Sequence, residues 1–314
     1  MVLSRTKRVV TGLAALAMAG GLAVTGAQTA SADPSCAHTK IFELGGTGHG
    51  DGSDFDGFNA TVPAGVATEK VVYPAEIAPL PGHRLTMDQS VAEGMANLDR
   101  AVRDFHAACG DSTIIITGYS LGALVAGNEL EALSHSGDIP HGQLKGVLYG
   151  DPRRPGDPAA GGDGSAAGGA GGIATNLPTF VGGITLQGPR PDYGDVVVKQ
   201  ICNQNDGICN SVNPFTNLAA FANGVAGYLL GDHNSYVPNP LVDVDQPSKF
   251  VQQAPRIQYG PPLPVPVPNP WVMFNGNFQP SQDAVRGIRD AARTALPPQL
   301  WQQLVAQWPW IEQL

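Results

Sequence analysis

The chain has 314 residues, 42% of them apolar, enough for one large domain with a sizeable core. Its 18 basic residues face 27 acidic ones, and the net charge of −9 argues against nucleic acid or an anionic membrane as principal partner. Only 14% of residues are charged, while 40 are glycine and 27 proline, so a loop-rich but foldable chain is expected.

The N-terminal residues read as an export signal. Arg5, Lys7 and Arg8 precede an uncharged run from Val9 to Val24, and Ala30-Ser31-Ala32 offers a small-residue cleavage site. Residues 1–32 are therefore expected to be a signal peptide, with a secreted or cell-envelope-associated product. The uncharged run is long enough to span a membrane, but Gly12, Gly20, Gly21, Gly26, Thr11, Thr25, Gln28 and Thr29 interrupt it. In an exported chain four cysteines read as two disulfides, with three connectivities open. Cys202 and Cys209 enclose a short polar loop that suits a local staple, and elimination would then join Cys36 to Cys109. Zinc is the alternative, but no histidine accompanies either pair at ligand spacing, so no metal is expected.

Along the chain, short Val- and Ile-rich runs bounded by Gly, Pro or Asp predict strands at Lys40 to Leu44, Lys70 to Tyr73, Thr113 to Thr117, Leu144 to Tyr149 and Val196 to Cys202. Helices are predicted between them. Thr86-Met87-Asp88-Gln89 is a capping box that opens a helix with Val91, Met95, Leu98, Val102 and Phe105 on one face, ending near Gly110. A second helix should run from about Leu121 to Leu133, and a third, capped by Asn213, from Phe215 to Leu230. Such alternation means an α/β fold with a mostly parallel sheet flanked by helices. The catalytic domain is expected over residues 33–260. Residues 156–172 form a glycine-rich insert, with no lysine or strand-to-helix context for a phosphate cradle. Residues 261–270 are proline-rich and read as an extended linker. In the tail, residues 271–314, Ser281 can cap a helix with Val285, Ile288, Ala292 and Leu296 on one face. Trp301, Leu304, Val305, Trp308, Trp310 and Ile311 then crowd together. That pattern either packs on the body or touches a lipid or cell-envelope surface, bordering the cleft.

Gly118-Tyr119-Ser120-Leu121-Gly122 is a GxSxG pattern between a buried strand and a helix start, the setting of a nucleophile held on a strained turn. A serine hydroxyl needs a base, and in this topology acid and then histidine follow it in the chain. His38, His49, His83 and His106 precede Ser120, and His135 and His141 follow too closely, which leaves His233. Asp206, inside the Cys202–Cys209 loop after a strand, is the leading acid. Asp151 is its competitor, and Asp195 precedes its strand. Oxyanion donors are expected from the Leu121 N–H and from the Gly46–Thr47 loop after the first strand. No cofactor is implied.

These residues resemble a known group. Ser120 in GYSLGA, Asp206 in CNQNDGIC and His233 in GDHNSY resemble the catalytic elements of cutinase-like serine esterases, and the two cysteine pairs resemble that family's disulfides. Ile41 to Thr47, Ser90 to Gly94 and Gly150 to Pro155 resemble the related PE-PPE hydrolase domain of actinobacteria. The resemblance spans about Ile41 to Tyr236 and implies an α/β-hydrolase sheet of five or slightly more strands that cleaves acyl esters. Leu121 replaces the glutamine common after the cutinase nucleophile, and Gly46 stands where cutinases offer a serine hydroxyl.

The expected activity is hydrolysis of a carboxylic, lipid-like ester by a monomer, through an acyl-enzyme on Ser120. An acyltransferase passing the chain to a sugar or lipid hydroxyl would use the same triad. A non-catalytic binding protein on the same fold would not need all three members.

Overall fold

Six strands build a wholly parallel sheet in the order β2-β1-β3-β4-β5-β6. They are β1 (Thr39–Leu44), β2 (Val66–Lys70), β3 (Thr113–Tyr119), β4 (Leu144–Tyr149), β5 (Val197–Asn203) and β6 (Lys249–Val251). This computed structural model describes residues 36–156, 169–264, 267–307 and 309–313. The expected leader, residues 157–168 of the glycine-rich insert, Trp308 and the Trp310 side chain lie outside the described residues.

Side chains alternate across the sheet, as a strand's period of two requires. Phe42, Leu44, Ile114, Ile116, Leu144 and Leu148 enter one core, shared with Val91, Leu98 and Val102 of one flanking helix and with Leu124, Leu130 and Leu133 of the next. Ile41, Ile115, Val147, Tyr149 and Ile201 face the other way, onto Phe55, Phe58 and Val244. Helix α1 (Asp56–Asn59) thus belongs to the second face, and α2 (Met87–Ala108) and α3 (Leu121–Ser134) to the first. Further along come α4 (Ile173–Asn176), α5 (Leu218–Leu229), α6 (Pro240–Asp243), α7 (Pro270–Met273), α8 (Gln282–Ala295) and α9 (Pro298–Gln307).

The capping box of α2 forms as expected. Thr86 Oγ1 accepts from Gln89 N–H at 3.2 Å, and Gln89 Oε1 accepts from Thr86 N–H at 3.0 Å. The cysteines pair as Cys36–Cys109 and Cys202–Cys209, so the first bridge ties the start of the described chain to the end of α2.

Three elements differ from expectation. The second strand pairs over Val66–Lys70, not Lys70 to Tyr73. Val71 closes that pairing by donating its N–H to the Glu43 carbonyl at 2.9 Å, while Tyr73 is buried beyond the strand and donates its hydroxyl to the Gly45 carbonyl at 2.6 Å. Helix α5 starts at Leu218, capped by Asn217, whose Oδ1 accepts from Ala220 N–H at 3.0 Å. Asn213 caps only its own turn, accepting from Phe215 N–H. The third is β6, three residues long, which no pattern of so short a length announces; its Lys249, Phe250 and Val251 pair with β5.

In the tail, Ser281 caps α8. Of the stripe, Leu296 is buried, Val285 and Ala292 are half-buried, and Ile288 is 58% exposed. Leu296, Trp301 and Leu304 pack with Ala222, Val225 and Leu229 of α5 and with Ile257.

Candidate active site

The sheet order places the site. From β1 the chain moves to β2 on one side, then returns to β3 on the other, and a parallel sheet opens a crevice beyond its strand ends at such a reversal. The loop after β1 carries Gly46 and Thr47, and Ser120 follows β3 directly. Ser120 sits at φ 55°, ψ −118°, a strained conformation for a residue with a side chain. Tertiary structure holds it there, since its N–H donates to the Tyr149 carbonyl at 2.9 Å. The flanking glycines are sterically required. A Cβ on Gly118 would lie 2.1 Å from the Gly122 carbonyl oxygen, and one on Gly122 would lie 2.2 Å from that of Leu44. Leu121 is the first residue of α3, so its N–H has no acceptor within the helix and lies at the positive end of the helix dipole.

His233 Nε2 lies 2.8 Å from Ser120 Oγ, and His233 Nδ1 lies 2.8 Å from Asp206 Oδ2. Nδ1–H donates to the carboxylate, which leaves Nε2 to accept the serine proton. Both His233 and Asp206 are buried. Burial, the largest single influence, pushes the Asp206 carboxyl up, but the His233 charge and the hydrogen bonds from His233, Tyr236 and the Ile208 N–H together outweigh it and hold Asp206 below its ordinary value.

Three tyrosines complete this arrangement, and the GxSxG pattern and chain order do not point to them. Tyr236 donates to Asp206 Oδ2 at 2.7 Å. Burial, then the Asp206 charge, push its phenol well up, so it remains a donor. Tyr119 stacks on the His233 ring with centroids 5.1 Å apart, and its hydroxyl lies 2.9 Å from the His233 carbonyl oxygen. Tyr228 lies against the same imidazole at 5.3 Å. Tyr119 occupies the variable position of GxSxG, where no pattern marks it, whereas the place of Tyr236 three residues after His233 is a signal visible in the sequence.

The CNQNDGIC loop is no solvated turn. Asn203, Gln204, Asn205 and Asp206 are all buried. Asn203 Nδ2 donates to the Asp232 carbonyl at 2.9 Å and to Ser235 Oγ at 3.0 Å, joining the acid loop to the histidine loop. Asp232, beside the histidine, is held by Arg256 through two contacts of 2.7 Å.

Asp151 has other partners. It is fully buried, and its Oδ2 accepts from Arg190 Nη1 and from Gln200 Nε2. Asp195 pairs with His141 away from the serine. The Gly46–Thr47 expectation needs a correction. The Gly46 N–H donates to Asp54 Oδ2 at 2.7 Å, so it is not free for an oxyanion; the strong carboxylate acceptor has taken it. Thr47 lines the cleft, and the remaining donors on hand are Thr47 and the Leu121 N–H. The cleft, about 380 Å³, is bounded by Thr47, His49, Asp54, Ser120, Tyr228 and His233, with Tyr119, Asn234, Tyr236 and Pro238 around them. Among the described residues no cluster of His, Cys, Asp and Glu could hold a metal ion, and no helix is long and apolar enough to cross a membrane.

Residues 64–256, more than half the chain, match the PE-PPE domain family. The chain is 32% identical over 178 residues to the Carboxylesterase Culp6 homolog of Corynebacterium glutamicum, across 51% of this chain and 55% of that protein. It is 31% identical over 183 residues to Esterase PE16 of Mycobacterium tuberculosis, across 55% of this chain and 31% of that protein. The chain thus spans about half the length of the first relative and a third of the second. Two solved structures are loosely similar, each at a TM-score of 0.40. A cutinase-like protein from Cryptococcus is 23% identical, covering 55% of this chain and 78% of its own. The catalytic core domain of acetyl xylan esterase from Trichoderma reesei is 22% identical, covering 64% and 100%.

Proposed function

From a chain that belongs to the PE-PPE domain family, and whose two curated relatives are named as a carboxylesterase and an esterase, we propose a serine esterase that cleaves carboxylic esters through an acyl-enzyme on Ser120. The observation that carries this reading is the unbroken relay from Ser120 Oγ to His233 Nε2 and from His233 Nδ1 to Asp206, each link 2.8 Å.

In the proposed reaction, Ser120 Oγ attacks the ester carbonyl carbon while His233 Nε2 takes the hydroxyl proton. The carbonyl oxygen becomes an oxyanion held by the Leu121 N–H and by Thr47. His233 then gives its proton to the leaving alcohol, and the ester C–O bond breaks. Water, deprotonated by His233, attacks the acyl-enzyme, the acid departs, and Ser120 regains its proton. Asp206 stays ionised throughout, holding Nδ1–H and stabilising the transient imidazolium. Lipid-like acyl chains and an exported location belong to the same proposal. Two disulfides support export, because such bonds persist in oxidising compartments. The tail serves here as a buttress for α5, which carries Tyr228, because Leu296, Trp301 and Leu304 are buried against that helix.

A fluorophosphonate probe should label the protein at Ser120, and Ser120→Ala should abolish labelling. Equal labelling of the alanine variant would remove Ser120 from the role.

A further inference from the structure

The cleft holds a second Asp–His pair. His49 Nδ1 lies 2.7 Å from Asp54 Oδ1, and both residues share the cleft wall with Ser120 and His233. The pairing repeats the geometry of Asp206 and His233: a carboxylate takes Nδ1–H, so Nε2 is left as an acceptor. At His233 that acceptor meets Ser120. At His49 it has no hydrogen-bond partner among the described residues, and the side chain is 55% exposed.

The pair is held in place from several sides. Asp54 Oδ2 also takes the Gly46 N–H at 2.7 Å. The His49 N–H donates to the Gly46 carbonyl, the Gly48 N–H to that of Ala75, and the Tyr73 N–H to that of Gly50. Phe55, next to Asp54, is fully buried. An oriented imidazole that lines the cleft two residues from Thr47 can accept one hydrogen bond from whatever occupies it. Ester carbonyls and alkyl chains carry no donor. A hydroxyl does.

We propose that His49, held by Asp54, is a hydroxyl-accepting subsite of this cleft, so that preferred substrates carry a free hydroxyl close to the reacting carbonyl. This rests on the reading of Ser120 as the acyl-carrying residue. The hydroxyl belongs to the alcohol portion or to the acyl portion, and the two are separable by experiment. Because His49 is half-exposed, water can replace a missing hydroxyl. The expected preference is therefore about tenfold, far below the rejection a sealed polar pocket achieves.

The test compares kcat/KM for matched esters: 1-monobutyrylglycerol against butyl butyrate for the alcohol portion, and ethyl 3-hydroxybutyrate against ethyl butyrate for the acyl portion. One hydroxylated member should be favoured about tenfold. His49→Phe should bring that ratio close to one, while His49→Gln, which keeps an acceptor, should retain part of it. A ratio within one preparation is insensitive to the fraction folded. In parallel, the 15Nε2 resonance of His49 is followed in Ser120→Ala as each ester is added, and it should move only with the hydroxylated one. Turnover with ratios that His49→Phe leaves unchanged, and no resonance shift, overturns the subsite alone. A selective shift without turnover of any ester by the unmodified protein overturns the esterase reading and leaves the subsite standing. Neither turnover nor shift overturns both.

Discussion

Asp151 and Asp206 are both fully buried, and each follows the end of a neighbouring strand, β4 and β5. They differ in partner. Asp151 faces Arg190, a cation at any working pH, and Gln200. Asp206 faces His233, which can be neutral or charged, and is steadied by Tyr236 and the Ile208 N–H. A carboxylate locked onto a permanent cation holds structure together. One locked onto an imidazole can hold a proton carrier in place through a reaction cycle. Burial alone does not separate these roles; the neighbour does.

Asp206→Asn should break the comparison most visibly. An amide in that place favours the wrong imidazole tautomer, and kcat should fall on the order of 10⁴-fold in a folded protein, as the corresponding change does in a serine protease. Asp206 is held below its ordinary carboxyl value, so its share of stability is present above about pH 3.8 and is lost as pH falls through the depressed value. A fall of less than tenfold in the folded asparagine variant would end the assignment.

Asp151→Asn should do the opposite. Removing the carboxylate leaves Arg190 buried with weakened compensation, at a cost of about 3 kcal/mol in denaturant unfolding. kcat per folded molecule should change little. If the larger loss instead appeared in kcat at unchanged stability, Asp151 would be the orienting acid.

The tail bears on the same geometry at one remove, because it supports the helix whose Tyr228 lies against His233. Leu304→Ala should cost about 2 kcal/mol, the low end for a buried leucine, since Leu304 keeps 8% of its surface in water. Activity on short soluble and on dispersed long-chain esters should fall together. Selective loss on dispersed substrate would instead make the tail a lipid-docking element.

A third buried carboxylate provides the smallest test. Glu129 on α3 is pushed up to about 7, first by burial and then by the like charge of Asp99, against which Arg103 acts only partly. Between pH 4.5 and 7 the folded protein keeps a proton that the unfolded chain releases, so this group lowers stability as pH rises. The Tm advantage of Glu129→Gln should therefore grow across that window. A pH-independent difference would contradict it.

Much of this site lay open in the primary structure because local rules govern it. The strand Thr113–Tyr119, the helix beginning at Leu121 and the glycines at 118 and 122 follow from short-range sterics and hydrophobic period. Chain order alone singled out His233, and loop position raised Asp206 over Asp151. What only the tertiary structure decided is which partner each group meets. Asp54 claims the Gly46 N–H, Arg190 claims Asp151, and Tyr119 and Tyr228 enclose His233. The polar loop Asn203–Asp206 turns out buried because Asp232, Ser235, Asn223 and Gln253 satisfy its amides. A side chain's type announces which bonds it can make, but which partner reaches it first depends on how distant strands and loops are brought to the same sheet edge.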